Sequence, residues 1–303
     1  MTSGEDADDD RAKPRPPFGI SASMTGGVPR AASSRVLVAA LLGRLFAPAA
    51  HAESDAPVGI LVLKEHGTGS QALAQPYLDR FVALAAAQNG WPRAKGQYYT
   101  SRSAAEGFIA AEKPHYGILS LAAFLAFRDR YHLDVIGQVA VSLAGGRQYA
   151  LISRSAADLA GCKGKTLASD HTDDARFLER VVAGGDFRLA DFTLLKTQRP
   201  LQTIRKLLAG EAACALVDEA QLADLSHLAG ADGVRPVWQS AELPPMAVVA
   251  FPTAPAGERA RFQKNLARVC DDEGSIVCGE VGIDSLTGGD DTDYATVTRL
   301  YGE

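Results

Sequence analysis

Basic excess, aromatic richness and enzyme signatures are all missing from this 303-residue chain. Lys and Arg total 31 against 36 Asp and Glu, a formal charge of -5. That balance removes the cationic footprint from which nucleic-acid binders draw their affinity for phosphate. Aromatic residues make up only 7%, too few for extended base-stacking platforms. No G-x-S-x-G, H-E-x-x-H or P-loop spacing occurs, so none of these motif-borne chemistries is expected. There is no C-x-x-C and no nearby His pair, which leaves metal binding and a cofactor unannounced by spacing. Beyond the N-terminal region no run reaches the ~18 apolar residues of a membrane span.

What remains has ordinary globular proportions, 47% hydrophobic and 22% charged, and is long enough for two domains. Residues 1–32 carry an acidic patch ("GEDADDD"), a Pro-rich basic patch ("RAKPRPP") and Gly/Ser filler without apolar periodicity, which reads as disordered chain. The next stretch has the parts of an export leader. Arg30 and Arg35 supply positive charge, Val36 to Leu45 an apolar helix interrupted by Arg44, and Ala50-His51-Ala52 a small-residue cleavage site. The expected mature chain starts at Glu53, with Met24 an alternative initiator that gives a leader of ordinary length. The rival reading is a disordered tail and a lone apolar helix. Removal of residues 1–52 takes the formal charge to about -6, and the expected location is periplasmic or otherwise exported.

Four cysteines, Cys162, Cys214, Cys270 and Cys278, agree with export, because an even count in an exported chain suggests disulfides. Three pairings are possible. Cys162–Cys214 with Cys270–Cys278 is favoured, since the first two each precede a predicted strand of one unit and the last two close a short loop. Four reduced core cysteines are the rival.

Strand and helix alternate from residue 58. "VGILVL", "GQYYT", "YGILSL" and "LDVIGQVAV" read as strands separated by helical patterns, among them 71–90 closed by Gly90 and 101–112 opened by Ser101. This order implies a mainly parallel sheet with helices on both faces. The pattern restarts at 148 with "QYALISR", "KTLASD", "DFTLLKT" and "CALVD" as strands, and with helices over 172–185, over 200–211 behind Pro200, and over 219–230. An extended "VRPVWQS" follows. Then "SAELPPMAVVAFP" leads through a stiff Pro-Pro pair into one short buried strand, after which only terminal helices remain. That strand has its natural partner in the first sheet. Two crossings, near 139–147 and 239–245, would then join two lobes and hinge them over a cleft. The expected division is a leader at 1–52, a first lobe of 53–143 plus 246–303, and a second lobe of 144–245.

In this order the phrases "SAADLAGCKGKTLAS", "IRKLLAGEAACALVDEAQLADL", "AELPPMAVVAFP" and "VGIDSLTGGDDTDYATVTRLYG" resemble those of the phosphate/phosphonate-type solute-binding proteins of bacterial ABC uptake systems. The resemblance covers most of 58–302. It implies an α/β class II periplasmic-binding-protein-like fold, each lobe a mixed, mainly parallel sheet flanked by helices, with two hinge crossings. It also implies a monomer that captures a small polar solute between its lobes and delivers it to a membrane permease.

Such proteins hold ligand at the C-terminal ends of strands and the N-termini of the following helices. Carried onto this sequence, that rule selects residues 64–70 with Lys64 and His66, Ser120 with Phe124, 170–174 with Asp170, His171, Thr172 and Asp173, and finally Lys196, Arg199 and Asp218. Each residue has a plainer reading beside it. Asp218 either faces a ligand amine or caps the next helix. Thr172 reads as a helix cap that also offers its hydroxyl. Asp173 and Asp174 suit a helix dipole without any ligand. His171 is a cleft donor or a loop residue, and Phe124 a stacking ring or, preferentially, core. Gly67 and Gly69 would let backbone N–H groups approach a ligand.

The chain also departs from the pattern. Where phosphonate binders carry a Ser-Thr-Ser-Gly cradle it has "HTDDAR", and buried carboxylates would repel a phosphonate by several kcal/mol. The expected ligand is therefore either a phosphonate-like oxyanion or, better suited to the acidic residues, an amine-bearing solute. Two alternatives share the fold: a ligand-sensing module for a membrane receptor, and a lyase-type enzyme acting through Asp170, His171 and Asp218. Such lyases are usually cytosolic, so the leader and the paired cysteines argue against the second.

Overall fold

A computed structural model describes residues 56–66, 71–141 and 145–303. The expected leader, the glycines at 67 and 69 and residues 142–144 of the first crossing lie outside the described residues. No helix among the described residues is long and apolar enough to cross a membrane.

The first sheet has six strands in the order β11-β4-β10-β3-β1-β2. β1 (Val58–Leu63) pairs in parallel with β2 (Ala94–Tyr99) and β3 (Tyr116–Leu119). The intervening segments are α1 (Gln71–Asn89), α2 (Arg102–Glu112) and α3 (Leu121–Tyr131). α2 begins as the sequence suggests, with Ser101 Oγ accepting from Ala104 N–H, and Ser120 stands at the start of α3 without a side-chain cap bond to it. β4 (Asp134–Val141) then carries the chain out of this sheet.

The second sheet has five strands in the order β7-β6-β8-β5-β9. β6 (Thr166–Ser169) runs parallel to β7 (Thr193–Lys196) and β8 (Cys214–Asp218), while β5 (Tyr149–Ser153) is antiparallel to β8 and to β9 (Arg235–Gln239). β9 lies at an edge, the position where Pro236 costs no ladder bond. α4 (Leu159–Cys162), α5 (Pro200–Leu208) and α6 (Glu219–Asp224) connect these strands, with Pro200 at the first turn of α5.

The Pro-Pro segment opens into β10 (Met246–Ala250), which returns to the first sheet. β10 lies between β3 and β4, antiparallel to both. Buried along Ala247–Ala250, it needs an unbroken apolar run, and "AVVA" supplies one. α7 (Ala256–Val269), α8 (Gly274–Glu280), β11 (Ile283–Gly288) and α9 (Ala295–Gly302) complete the chain. β11 extends the first sheet antiparallel to β4, where only terminal helices were expected.

The two crossings are tied together by hydrogen bonds. Tyr149 N–H donates to Ser240 Oγ (3.0 Å), Ser240 N–H to Tyr149 O (2.8 Å) and Leu243 N–H to Arg147 O (2.7 Å). Glu219 accepts from the backbone N–H of Arg147 (3.0 Å) and Gln148 (2.9 Å). The Pro-Pro lead is anchored too: the Tyr294 hydroxyl lies 3.2 Å from both Pro245 O and Met246 O. The disulfides are Cys162–Cys214 and Cys270–Cys278, the favoured pairing.

The helix expected over 172–185 differs. Thr172 is buried but does not cap it. Asp174 does, its Oδ1 accepting from Phe177 N–H at 2.9 Å, and Phe177–Val182 winds as a π-helical turn. The wider winding inserts a residue into the turn, a local change that apolar spacing cannot announce. The helix expected over 219–230 stops as α6 at Asp224 and passes into a 3-10 turn, Leu225–His227.

Candidate functional site

The C-terminal ends of the parallel strands in both sheets converge on one cleft. Lys64, Glu65 and His66 follow β1, Ser101 and Arg102 follow β2, and Ser120 follows β3. From the second sheet Asp170, His171 and Asp173 follow β6, Arg199 follows β7, and Asp218 ends β8. A cavity of about 50 Å³ is lined by Lys64, Glu65, His66 and Ser120 on one side, and by Arg147, Tyr149, His171 and Asp218 on the other. Pro244 and Pro245 form part of its wall. A wider groove of about 1030 Å³, lined by Arg102, Asp170, Asp173 and Arg199, shares Glu65 and His66 with it.

Two contacts close the cleft at its rim, both on Asp174. Arg102 Nη1 donates to Asp174 Oδ2 at 2.7 Å, while Glu65 braces the same guanidinium from its own lobe, its Oε1 2.6 Å from Arg102 Nε. The Tyr301 hydroxyl donates to the same Asp174 Oδ2 at 3.1 Å. Behind them the rings of His66 and His171 pack edge to face with centroids 4.6 Å apart. The Arg102 and Asp174 side chains keep 25% and 12% of their exposure, so this pair is only partly screened by solvent.

The floor of the second lobe is a polar network. Asp170 Oδ1 accepts from Thr203 Oγ1 (2.7 Å) and from Gln221 Nε2 (3.0 Å). Gln221 Oε1 lies 2.9 Å from His171 Nε2 and accepts from Asp218 N–H at 2.8 Å. Asp218 Oδ1 accepts from Gln221 N–H at 2.9 Å, completing a reciprocal capping box. Asp218 therefore caps α6 and lines the cavity at once, joining the two readings open for it. Its Oδ2 lies 3.8 Å from His171 Nε2. A Cβ at Gly145 (φ +73°) would overlap this carboxylate, so the first crossing passes Asp218 closely only as glycine.

Burial shapes the charges. It lowers the Lys64 ammonium, against the pull of Asp218 and Glu219. It raises Glu65, with Arg102 opposing, and raises Asp218, with His171 opposing. His66 is pushed down to about 4, first by burial and then by the facing His171. Burial also raises Tyr149 well above its usual range. Each shift penalises a charged form that has lost water. Among the described residues Lys64 Nζ forms neither an ion pair within 4 Å nor a side-chain hydrogen bond, although Asp218 and Glu219 act on it at longer range.

Of the expected site residues, Lys64, His66, Ser120, His171 and Asp218 line the small cavity, and Asp170, Asp173 and Arg199 the wider groove. The other three fall elsewhere. Phe124 is 0% exposed and packs edge to face on Tyr294 at 5.1 Å; α3 turns this ring into the core and away from the cleft. Lys196 is 60% exposed, 4.0 Å from an 82% exposed Asp173, an open surface pair of little energetic weight. Thr172 lines neither space. Sequence reasoning missed Arg102, Arg147, Tyr149 and Gln221, and it held Glu65 only as part of the stretch 64–70. The signal for Arg102 was available, since the rule of strand ends and helix starts applies to β2 as it does to β1 and β3.

Two mixed sheets flanked by helices, joined by a double crossing and facing each other through their strand ends, define the two-lobed class of periplasmic binding proteins. The chain belongs to the family of ABC-transporter phosphonate periplasmic substrate-binding proteins, which it matches over residues 81–294. Its fold is shared by the binding-protein component of a Pseudomonas aeruginosa ABC phosphonate transporter, at TM-score 0.61 and 16% identity over 81% of this chain and 86% of that one. PhnD1 from Prochlorococcus marinus, solved with methylphosphonate, gives 0.60 at 9% identity over 80% and 96%. XAC2383 from Xanthomonas citri, solved with ATP, gives 0.62 at 12% over 81% and 95%. No curated protein matches the sequence.

Proposed function

We propose that the exported chain captures a small zwitterionic solute, an oxyanion that also carries an amine, and delivers it as a monomer to an ABC permease without turning it over. One observation carries this reading: a half-buried lysine ammonium, without a close counter-ion among the described residues, faces the buried Asp218 carboxylate across a cavity of about 50 Å³. An unpaired cation under partial burial is a poor arrangement for the protein alone and a good one for a bound anion. Asp218, held in place by its cap, suits the amine. The anionic half is supported by two structural relatives, a component of a phosphonate transporter and a protein solved with methylphosphonate. Closure by two hinged lobes supports capture, because only the closed form lets both halves touch the solute.

Calorimetry and thermal shift with methylphosphonate, 2-aminoethylphosphonate, alkyl sulfonates, phosphate and amino acids test the proposal. The aminophosphonate should bind more tightly than methylphosphonate. Lys64→Ala should weaken both at least tenfold, and Asp218→Asn, which keeps the cap, should weaken the aminophosphonate selectively. Asp173→Ala should change neither. Turnover of the bound solute would favour the lyase reading, and Lys64→Ala binding every oxyanion as well as wild type would end this one.

A further inference from the structure

The cleft holds more negative charge than an oxyanion receptor should. Glu65, Asp170 and Asp218 all stand at or beside the cavity lining; among the described residues Glu65 alone pairs with an arginine or lysine, Arg102, while Asp170 and Asp218 have only the His171 imidazole within 4 Å. Asp170 is the extreme case. Its side chain is 1% exposed, Oδ1 is doubly satisfied, and Oδ2 is buried with no hydrogen-bond partner among the described residues. A carboxylate oxygen sealed from water and left without a donor costs free energy unless something positive meets it. Beside it His66 and His171, one from each lobe, bring imidazoles to the same point. One ligand atom from each of these three side chains falls within 4.8 Å of the others.

We propose that His66, His171 and Asp170 bind one divalent transition-metal ion across the two lobes. The inference rests on reading this cleft as the ligand site and adds to that reading an inorganic component. Two imidazoles and one carboxylate suit Zn²⁺, Ni²⁺ or Cu²⁺, whereas Mg²⁺ and Ca²⁺ need more oxygen ligands than converge here. Donors around a tetrahedral ion stand about 3.4 Å apart, so the three have to close by up to about 1.4 Å, within the reach of side-chain adjustment. An outer shell that aims them already exists: Thr203 and Gln221 hold Asp170, and Gln221 also holds His171. Such partners orient ligands and tune their affinity. Three protein ligands leave at least one coordination position for water or a solute oxygen. The ion offsets the carboxylates that would otherwise repel an oxyanion, which reconciles the acidic "HTDDAR" stretch with the family's ligand class. It also bolts the lobes together, because His66 reaches it from one and Asp170 and His171 from the other.

The test is calorimetric titration of the mature, tag-free, EDTA-treated protein with Zn²⁺ and Ni²⁺, with Mg²⁺ as the hard-ion control. One Zn²⁺ should bind per chain, Mg²⁺ should give no heat, and thermal stability should rise with Zn²⁺. His66→Ala and Asp170→Asn should each lower the affinity at least 100-fold, and His227→Ala should leave it unchanged. Since Asp170→Asn disturbs a buried network, His66→Gln at the cleft wall provides the second variant if Asp170→Asn does not fold. No Zn²⁺ binding, or binding that survives both His66 variants, overturns the metal site. Oxyanion binding in the presence of EDTA, together with absent Zn²⁺ binding, removes this inference and leaves the solute-capture reading intact. Zn²⁺ binding without any oxyanion binding removes only the solute-capture reading.

Discussion

His115 sits at the far end of the first sheet from the cleft, and a backbone hydrogen bond favours its neutral imidazole. Gly59 N–H donates to His115 Nδ1 at 3.1 Å while His115 N–H donates back to Gly59 O at 2.9 Å. Nδ1 accepts only in the neutral ring, so protonation breaks the side-chain half of this clasp. Burial lowers the pKa from the usual 6.5, with Glu258 opposing weakly. The sign follows: below 6.5 the unfolded chain takes up the proton before the folded one, so stability falls as pH drops through that window. The ring's NMR titration should have its midpoint below 6.5. The difference between urea midpoints at pH 7.5 and 5.5 should be smaller in His115→Ala than in wild type; an equal difference would show that the clasp does not carry this pH dependence. At this scale the candidate site was legible wherever a side chain follows a parallel strand, as Lys64, Ser120, Asp170 and Asp218 do. Phe124 was not placed by that rule, because which side of a helix faces the core depends on the partner sheet. Arg102, Glu65 and Gln221 take their parts only through contacts 37 to 72 residues away, which no local pattern records.

The elements that alternate cleanly were readable for the same reason that they fold. β1, β3, β8 and β10 are short, apolar and bounded by turn or cap residues, and their buried faces follow from that composition. β11 was missed because "IDSLTG" is mostly exposed and has only Leu286 buried, so its periodicity is faint. The π-helical turn at Phe177–Val182 was missed because its apolar residues still fit helical spacing. The disulfides bind elements of unequal reach and should differ in effect. Cys162–Cys214 joins α4 to the central strand β8 across 52 residues, while Cys270–Cys278 ties α7 to α8 across 8. On the loop-entropy relation the first stabilises by about 4 kcal/mol and the second by about 2.5. Replacing each pair by alanine should therefore lower the melting temperature more for Cys162 and Cys214 than for Cys270 and Cys278. Equal losses, or the reverse order, would mean that native-state packing at the cysteines outweighs chain entropy.

At the scale of the whole molecule the question is what holds the two lobes shut. The contacts across the cleft are few and polar: the Arg102–Asp174 ion pair, the hydrogen bond from Tyr301 to Asp174, and behind them the His66–His171 ring pair. The two crossings are hydrogen-bonded to each other, which resists shear between the lobes. In the proposed capture cycle the closed form rests on a rim worth about a few kcal/mol, within the range a bound solute can shift. Asp174→Asn isolates that rim. Asparagine still caps the turn at Phe177, but the charge-assisted bond to Arg102 is lost, at a cost of about 1–2 kcal/mol for a pair that retains some exposure. The ligand-free variant should be more open, with a larger radius of gyration by small-angle X-ray scattering. Its solute affinity should fall about 5- to 30-fold, because the binding-competent form becomes rarer. Saturating solute should restore the compact value in both proteins. If Asp174→Asn scatters like wild type without solute and binds equally well, the rim pair does not govern closure, and the balance between the two forms lies in the hydrogen-bonded crossings at 147–149 and 240–243.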